Sequence, residues 1–183
     1  MKRNLIVFAS KSGNTEKVAR EIGRNFERHG WSSDMKKLPD DYDAGNPDFD
    51  FNDYDFACVG SPVIGELPLP QIRRVTYGRP GSHRLSPGPK CGLVFCTYGG
   101  IHLGPKEAEP ALKLLEVELM HQQFQVIGSL AIPGKLRDAD NPEWYFADLR
   151  HRPDERDLKN VARFVDDIMN KLKSFPYYQA NSP

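Results

Sequence analysis

Strand-like apolar runs alternating with amphipathic helical segments predict a three-layer α/β sandwich, a five-stranded parallel sheet with helices on both faces. Three observations carry this reading. The first run, Leu5 to Ala9, is continuously apolar with branched and aromatic members, the pattern of a strand buried on both sides. Four further runs follow, with helical periodicity between several of them. The length of 183 residues, with 39% hydrophobic and 27% charged residues, suits one domain with a full core. That domain is read as residues 1–175, with a tail at 176–183.

The elements follow in order. After Leu5–Ala9, the residues Val18, Ile22 and Phe26 recur at helical spacing among Glu16, Lys17, Arg20, Glu21, Arg24 and Glu27, which predicts the first helix. Ser32 to Leu38, with Met35 and Leu38 as its apolar members, is the second strand. Asp40 to Asp55 holds seven Asp, no base and Gly45-Asn46-Pro47, and reads as a loop. Tyr54 to Gly60 is the third strand, Cys91 to Thr97 the fourth and Val126 to Ile132 the fifth. Ala108 through Phe124 sets Ala111, Leu112, Leu115, Leu119 and Met120 on one helical face. The last helix starts near Pro153, with Asp154 and Glu155 in its first turn and Leu158, Val161, Phe164, Val165, Ile168 and Leu172 as its buried stripe.

Two segments fit no regular element. Residues 133–152 make a connection of about twenty residues, long for a compact domain. It carries Lys135, Arg137, Arg150 and Arg152, four acids and the aromatic run Trp144-Tyr145-Phe146. It reads as a pocket wall, a partner dock or a cap on a sheet edge. Arg73, Arg74, Arg79, Arg84 and Lys90 form a basic stretch without an acid, which with the acidic loop before the third strand gives a dipolar surface.

Lys plus Arg and Asp plus Glu each total 25, so no global charge draws the chain to nucleic acid or an acidic membrane. No apolar run approaches the roughly 18 residues of a membrane span, and no signal-peptide pattern opens the chain; a cytoplasmic protein is expected. Cys58, Cys91 and Cys96 fall in apolar runs and read as buried free thiols. Without a C-x-x-C pair, and with five scattered His, no zinc or iron–sulfur site is expected.

Between the first strand and the first helix lies Ser10-Lys11-Ser12-Gly13-Asn14-Thr15. A loop feeding a helix start presents unpaired N–H groups and the positive end of the helix dipole, both favourable to an anion. The hydroxyls add neutral donors, and Gly13 permits close approach or positive φ. Neither the nucleotide-triphosphate spacing nor the dinucleotide G-x-G-x-x-G is present, so the cradle suits a phosphate monoester. An ordinary helix cap is the other reading. The loops after the third and fourth strands, Ser61 to Pro70 and Tyr98 to Gly104, are rich in Gly, apolar and aromatic residues, which fits a flat hydrophobic ligand or packing against the domain.

The first loop meets the pattern [ST]-x-[ST]-G-[NT]-T at every position, and in this the chain resembles the flavodoxin family, where that loop holds the phosphate of FMN. The other two loops look like the pair that clasps the isoalloxazine ring. The resemblance implies a flavodoxin-like fold and FMN held by Ser10, Lys11, Ser12, Gly13, Asn14 and Thr15 in the first loop. It adds Ser61, Pro62, Val63, Ile64 and Gly65 in the second, and Thr97, Tyr98, Gly99, Gly100 and His102 in the third. Tyr98 is the aromatic expected against the ring, and Ile64-Gly65 the peptide expected to turn its carbonyl toward a protonated flavin nitrogen. The implied function is electron transfer through FMN cycling between oxidised, semiquinone and hydroquinone forms, with a reductase and an acceptor protein as partners and the chain a monomer or weak dimer.

Two alternatives stand beside it: an FMN-dependent NAD(P)H:quinone or other small-acceptor reductase, and a flavin-free interaction module. His102 is a candidate proton donor for the reductase, or a solvated loop residue. The chain departs from its resemblance in two places. Ile64 stands where related sequences often carry an aromatic residue, and the net charge is zero where flavodoxins are generally acidic.

Overall fold

The computed structural model describes residues 1–43, 48–77, 90–100, 103–136 and 148–180. The strands β1 (Arg3–Phe8), β2 (Ser32–Lys37), β3 (Phe56–Ile64), β5 (Lys90–Tyr98) and β6 (Phe124–Pro133) lie in the order β2-β1-β3-β5-β6, every neighbouring pair parallel. A two-residue strand, β4 (Leu67–Pro68), pairs antiparallel with the end of β3. The helices are α1 (Asn14–Arg28), α2 (Pro70–Tyr77), α3 (Glu109–His121), α4 (Glu155–Leu172) and α5 (Pro176–Ala180).

Parallel strands buried on both sides need two cores, and the chain supplies them by alternation. Ile6 and Phe8 of β1, Cys58 of β3 and Leu93 and Phe95 of β5 face α1 and α4. Leu5 and Val7, Ala57 and Val59, Val94 and Cys96 face α2 and α3. All three cysteines are buried free thiols. Gly60 and Gly92 are close-approach positions. A Cβ on Gly60 would stand 2.0 Å from the Phe95 ring, and one on Gly92 would meet the Ala57 carbonyl oxygen at 2.8 Å.

The predicted five-stranded sheet with helices on both faces is present, with several changes of detail. The helix expected over 108–124 ends at His121, so Phe124 opens β6 instead. On α3, Met120 points to solvent and Glu118 is buried, where it accepts from Arg73 Nε and Thr76 Oγ1 at 2.8 Å each. A polar side chain thus clamps α2 to α3, which apolar periodicity does not register. The last helix begins at Glu155 with a capping box: Asp154 accepts from the Asp157 N–H at 3.0 Å, and Asp157 accepts from the Asp154 N–H at 2.9 Å. Residues 176–180, expected in the tail, form α5, and Tyr178 is buried against Trp31. Among its described residues the Asp-rich loop contains one 3₁₀ turn, Phe51–Asp53; Gly45, Asn46 and Pro47 lie outside the described residues.

Candidate functional site

Chain order reverses direction between β1 and β3: β2 lies to one side of β1 and all later strands to the other. Ligands of open α/β sheets sit beyond the carboxyl ends of the strands at such a switch. The registers Phe8↔Gly60 and Pro62↔Thr97 bring the three predicted loops to one edge, leaving the ends of the adjacent strands β1, β3 and β5.

The first loop turns into α1 at Gly13, whose φ of 86° is left-handed. Ser10 faces inward, its Oγ accepting from the Gly13 N–H at 3.1 Å and the Glu16 N–H at 3.4 Å. Thr15 is buried and shares a hydrogen bond of 2.8 Å with Thr97 Oγ1, tying this loop to β5. Asn14 Nδ2 donates to the Lys135 carbonyl at 2.7 Å. Three of the expected ligand contacts are therefore engaged within the chain, Ser10 inside its own loop and Asn14 and Thr15 in joining it to other segments. Among the described residues, the N–H groups of Ser12, Asn14 and Thr15 have no acceptor, and Lys11 and Ser12 are exposed. Unpaired first-turn donors, a left-handed Gly and an exposed hydroxyl form a donor set for a phosphate.

The second loop is a hairpin. β3 runs on to Ile64, and the chain reverses over Gly65 (φ 56°) and Glu66 (φ 64°), two positive φ values as in a type I′ turn. Ser61 is buried at its base, accepting from the Leu69 N–H at 2.8 Å, and Pro62 and Val63 are half-buried. At the tip, Ile64 and Leu67 form a cross-strand pair, 57% and 50% exposed.

In the third loop Tyr98 is only 9% exposed, and its hydroxyl is pushed up first by burial. The Gly100 N–H donates to Glu107 Oε2 at 2.9 Å, so the chain itself takes up one donor expected to face a ligand. Leu103 is 48% exposed. His102 lies outside the described residues.

The long connection contributes more than the motifs announce. Its first residues, 134–136, cross the same edge. The Gly134 N–H donates to the Tyr98 carbonyl at 2.9 Å, a Cβ on Gly134 would stand 2.8 Å from Asn14 Nδ2, and Leu136 packs on Gly99. The Lys135 N–H donates to the Arg152 carbonyl at 2.8 Å, closing the connection on itself. Arg152 is held by Asp157 through two guanidinium contacts. A cavity of ≈ 590 Å³ opens beside the first loop, lined by Lys11, Ser12, Asn14 and Lys17 on one side and by Lys135, Leu136, Arg150, His151 and Arg152 on the other. A second, of ≈ 280 Å³, lies between Tyr98, Pro105 and the start of α4. The basic residues of 133–152 were the available signal for the first cavity; their meeting with the first loop depends on β6 ending opposite Tyr98. Arg137 and Trp144-Tyr145-Phe146 lie outside the described residues.

The strand order, with helices on both faces of the parallel sheet, defines a flavodoxin-like α/β fold. Solved structures bear this out. Flavodoxin 2 from Bacillus cereus matches with a TM-score of 0.64 at 20% identity over 92% of this chain and 99% of its own. An archaeal flavodoxin matches with 0.57 at 18% over 93% and 99%. The flavodiiron protein from Giardia intestinalis matches with 0.63 at 15%, over 100% of this chain and 38% of its own. No family model matches the chain, and no curated protein matches it by sequence.

Proposed function

We propose that this chain binds FMN non-covalently and serves as an electron-transfer protein of flavodoxin type. The observation that carries the reading is the set of unpaired N–H groups at Ser12, Asn14 and Thr15, presented from a left-handed Gly13 at the head of α1. Their chemistry fits a phosphate monoester. Ile64 and Leu67, paired and exposed at the hairpin tip, and exposed Leu103 on the third loop offer apolar surface that suits a flat ring.

When bound, the isoalloxazine supplies one- and two-electron chemistry. The residues of the chain hold and shield it. Ser12 and the first-turn N–H groups hold the phosphate, and the Thr15–Thr97 hydroxyl bond keeps the first and third loops in fixed register. Ile64 and Leu67 exclude water from the ring. The Ile64-Gly65 peptide opens the turn, where Gly65 leaves the backbone free to reorient. A reductase and an acceptor protein are the partners.

Titration of purified protein with FMN should shift the visible flavin absorbance and quench its fluorescence, and riboflavin, lacking the phosphate, should bind at least about tenfold more weakly. Absence of any change with FMN overturns the reading. A second reading, a reductase with a phosphorylated nucleotide donor, is favoured by the basic cavity beside the phosphate loop. Rapid reduction of the FMN-loaded protein by NADH or NADPH, with turnover of a quinone, would select it.

A further inference from the structure

The cavity of ≈ 590 Å³ beside the phosphate loop is far larger than one phosphate needs and lies in the range of small-molecule sites. Its chemistry is one-sided. Lys11, Lys17, Lys135, Arg150 and Arg152 line it with no carboxylate among the described lining residues, and Leu136 is its one apolar member there. This concentration occurs in a chain whose net charge is zero. Arg150 is paired with Asp148 at 2.6 Å and Arg152 with Asp157, but Lys11, Lys17 and Lys135 have no carboxylate partner among the described residues. Like charges gathered at one cavity repel, and the arrangement is stabilised by an anion that spans them.

One phosphate monoester is already served by the donors at the head of α1. We infer that the cavity takes the phosphate groups of a nucleotide, beside and in addition to the phosphate held by the first loop. The inference rests on the flavin reading for the identity of that first phosphate, and on the lining cations alone for the second group. A nucleoside diphosphate supplies what the lining asks for: several anionic oxygens across the space between Lys17 on α1 and Lys135 after β6. Those two lysines stand outside the donor set proposed for FMN. These groups come either from a separate nucleotide, as its diphosphate, or from the adenylate half of a flavin dinucleotide, as the one phosphate joined to the flavin's own.

The test is calorimetry on the full chain saturated with FMN, using ADP and inorganic pyrophosphate as probes, alongside the relative affinities of FMN and FAD. For a separate nucleotide, both probes bind the FMN-loaded protein in the micromolar to sub-millimolar range. Binding weakens as salt rises from about 50 to about 300 mM, because it is electrostatic. The Lys17→Ala/Lys135→Ala variant loses at least about tenfold in ADP affinity, keeps its FMN affinity and melting temperature, and is rescued by arginine at both positions. For a dinucleotide flavin, FAD binds at least about tenfold tighter than FMN and the variant erases that margin. The inference is overturned if neither probe binds and FAD is no tighter than FMN, or if probe binding survives the double substitution. Lysine-dependent ADP binding in a chain that takes no flavin would end the flavin reading and leave the cavity assignment standing.

Discussion

Gly13 is the residue on which the proposed phosphate cradle turns. An added Cβ meets nothing within 4 Å, so the cost of Gly13→Ala comes from the left-handed φ of 86° alone. That cost is about 1 to 2 kcal/mol, and asparagine, which tolerates this region, should lose less. Urea unfolding of the two variants checks the order, and FMN titration should rank them the same way. Asp157 plays the matching part at α4. Its carboxylate is almost fully buried, caps the Asp154 N–H and holds Arg152, so Asp157→Ala should cost about 2 to 3 kcal/mol by removing the cap and leaving the Arg152 guanidinium only its longer ion pair with Asp154 at 3.7 Å. Asp154 gives the site a pH dependence. The Asp157 N–H, first among its causes, holds the Asp154 carboxyl below the usual carboxylate range. A folded pKa below the unfolded one stabilises the fold at pH above about 4, and that contribution is lost as pH falls through the folded value. Asp154→Asn keeps an acceptor but cannot titrate, so its melting temperature should fall less steeply than wild type between about pH 5 and about pH 2.

At the scale of elements, the second loop separates what sequence pattern discloses from what it hides. Strands and long helices were legible because each buries a continuous run or a periodic stripe, as Leu5–Ala9 and Val161–Leu172 do. The hairpin was not. Its return strand, Leu67–Pro68, is two residues long, ends on a proline and is followed by Pro70, and its turn is Gly-Glu rather than the Asn-Gly that signals this geometry. Helix α2 escaped for a related reason: it has eight residues, and its buried side is Ile72, Val75 and Thr76 among arginines that read as surface charge. At the site, the loops were legible as motifs, but the engagement of Asn14 with Lys135 and of Thr15 with Thr97 was not, since both partners are set by tertiary register. Glu66 occupies a left-handed position without glycine's freedom. Glu66→Gly should therefore raise stability by about 1 kcal/mol, visible in thermal melts, with no loss of FMN affinity.

On the scale of the whole molecule, stability and function occupy opposite ends of the sheet. Cradle, hairpin and third loop lie at the carboxyl ends of the strands, while the far end is closed by α5. The Tyr178 hydroxyl accepts from the Cys91 N–H at 2.7 Å and donates to the Asp55 carbonyl at 2.7 Å, joining the starts of β5 and β3. Its ring packs 6.0 Å from Trp31, and Lys2 Nζ donates to its carbonyl at 3.0 Å. A segment that reads as a tail thus plugs the core beneath α1, because the Tyr178 ring and hydroxyl find buried partners that no local pattern reveals. Tyr178→Phe keeps the ring but leaves the Cys91 N–H without that acceptor in a buried position, at a cost of about 1 to 3 kcal/mol. Cys91 and Thr97 stand six residues apart along β5, about 20 Å at strand rise, so the loss should not reach the site. Chemical denaturation should register the full destabilisation, while FMN and ADP affinities stay at wild-type values under native conditions. A parallel fall in ligand affinity would mean that the two ends of the sheet are coupled.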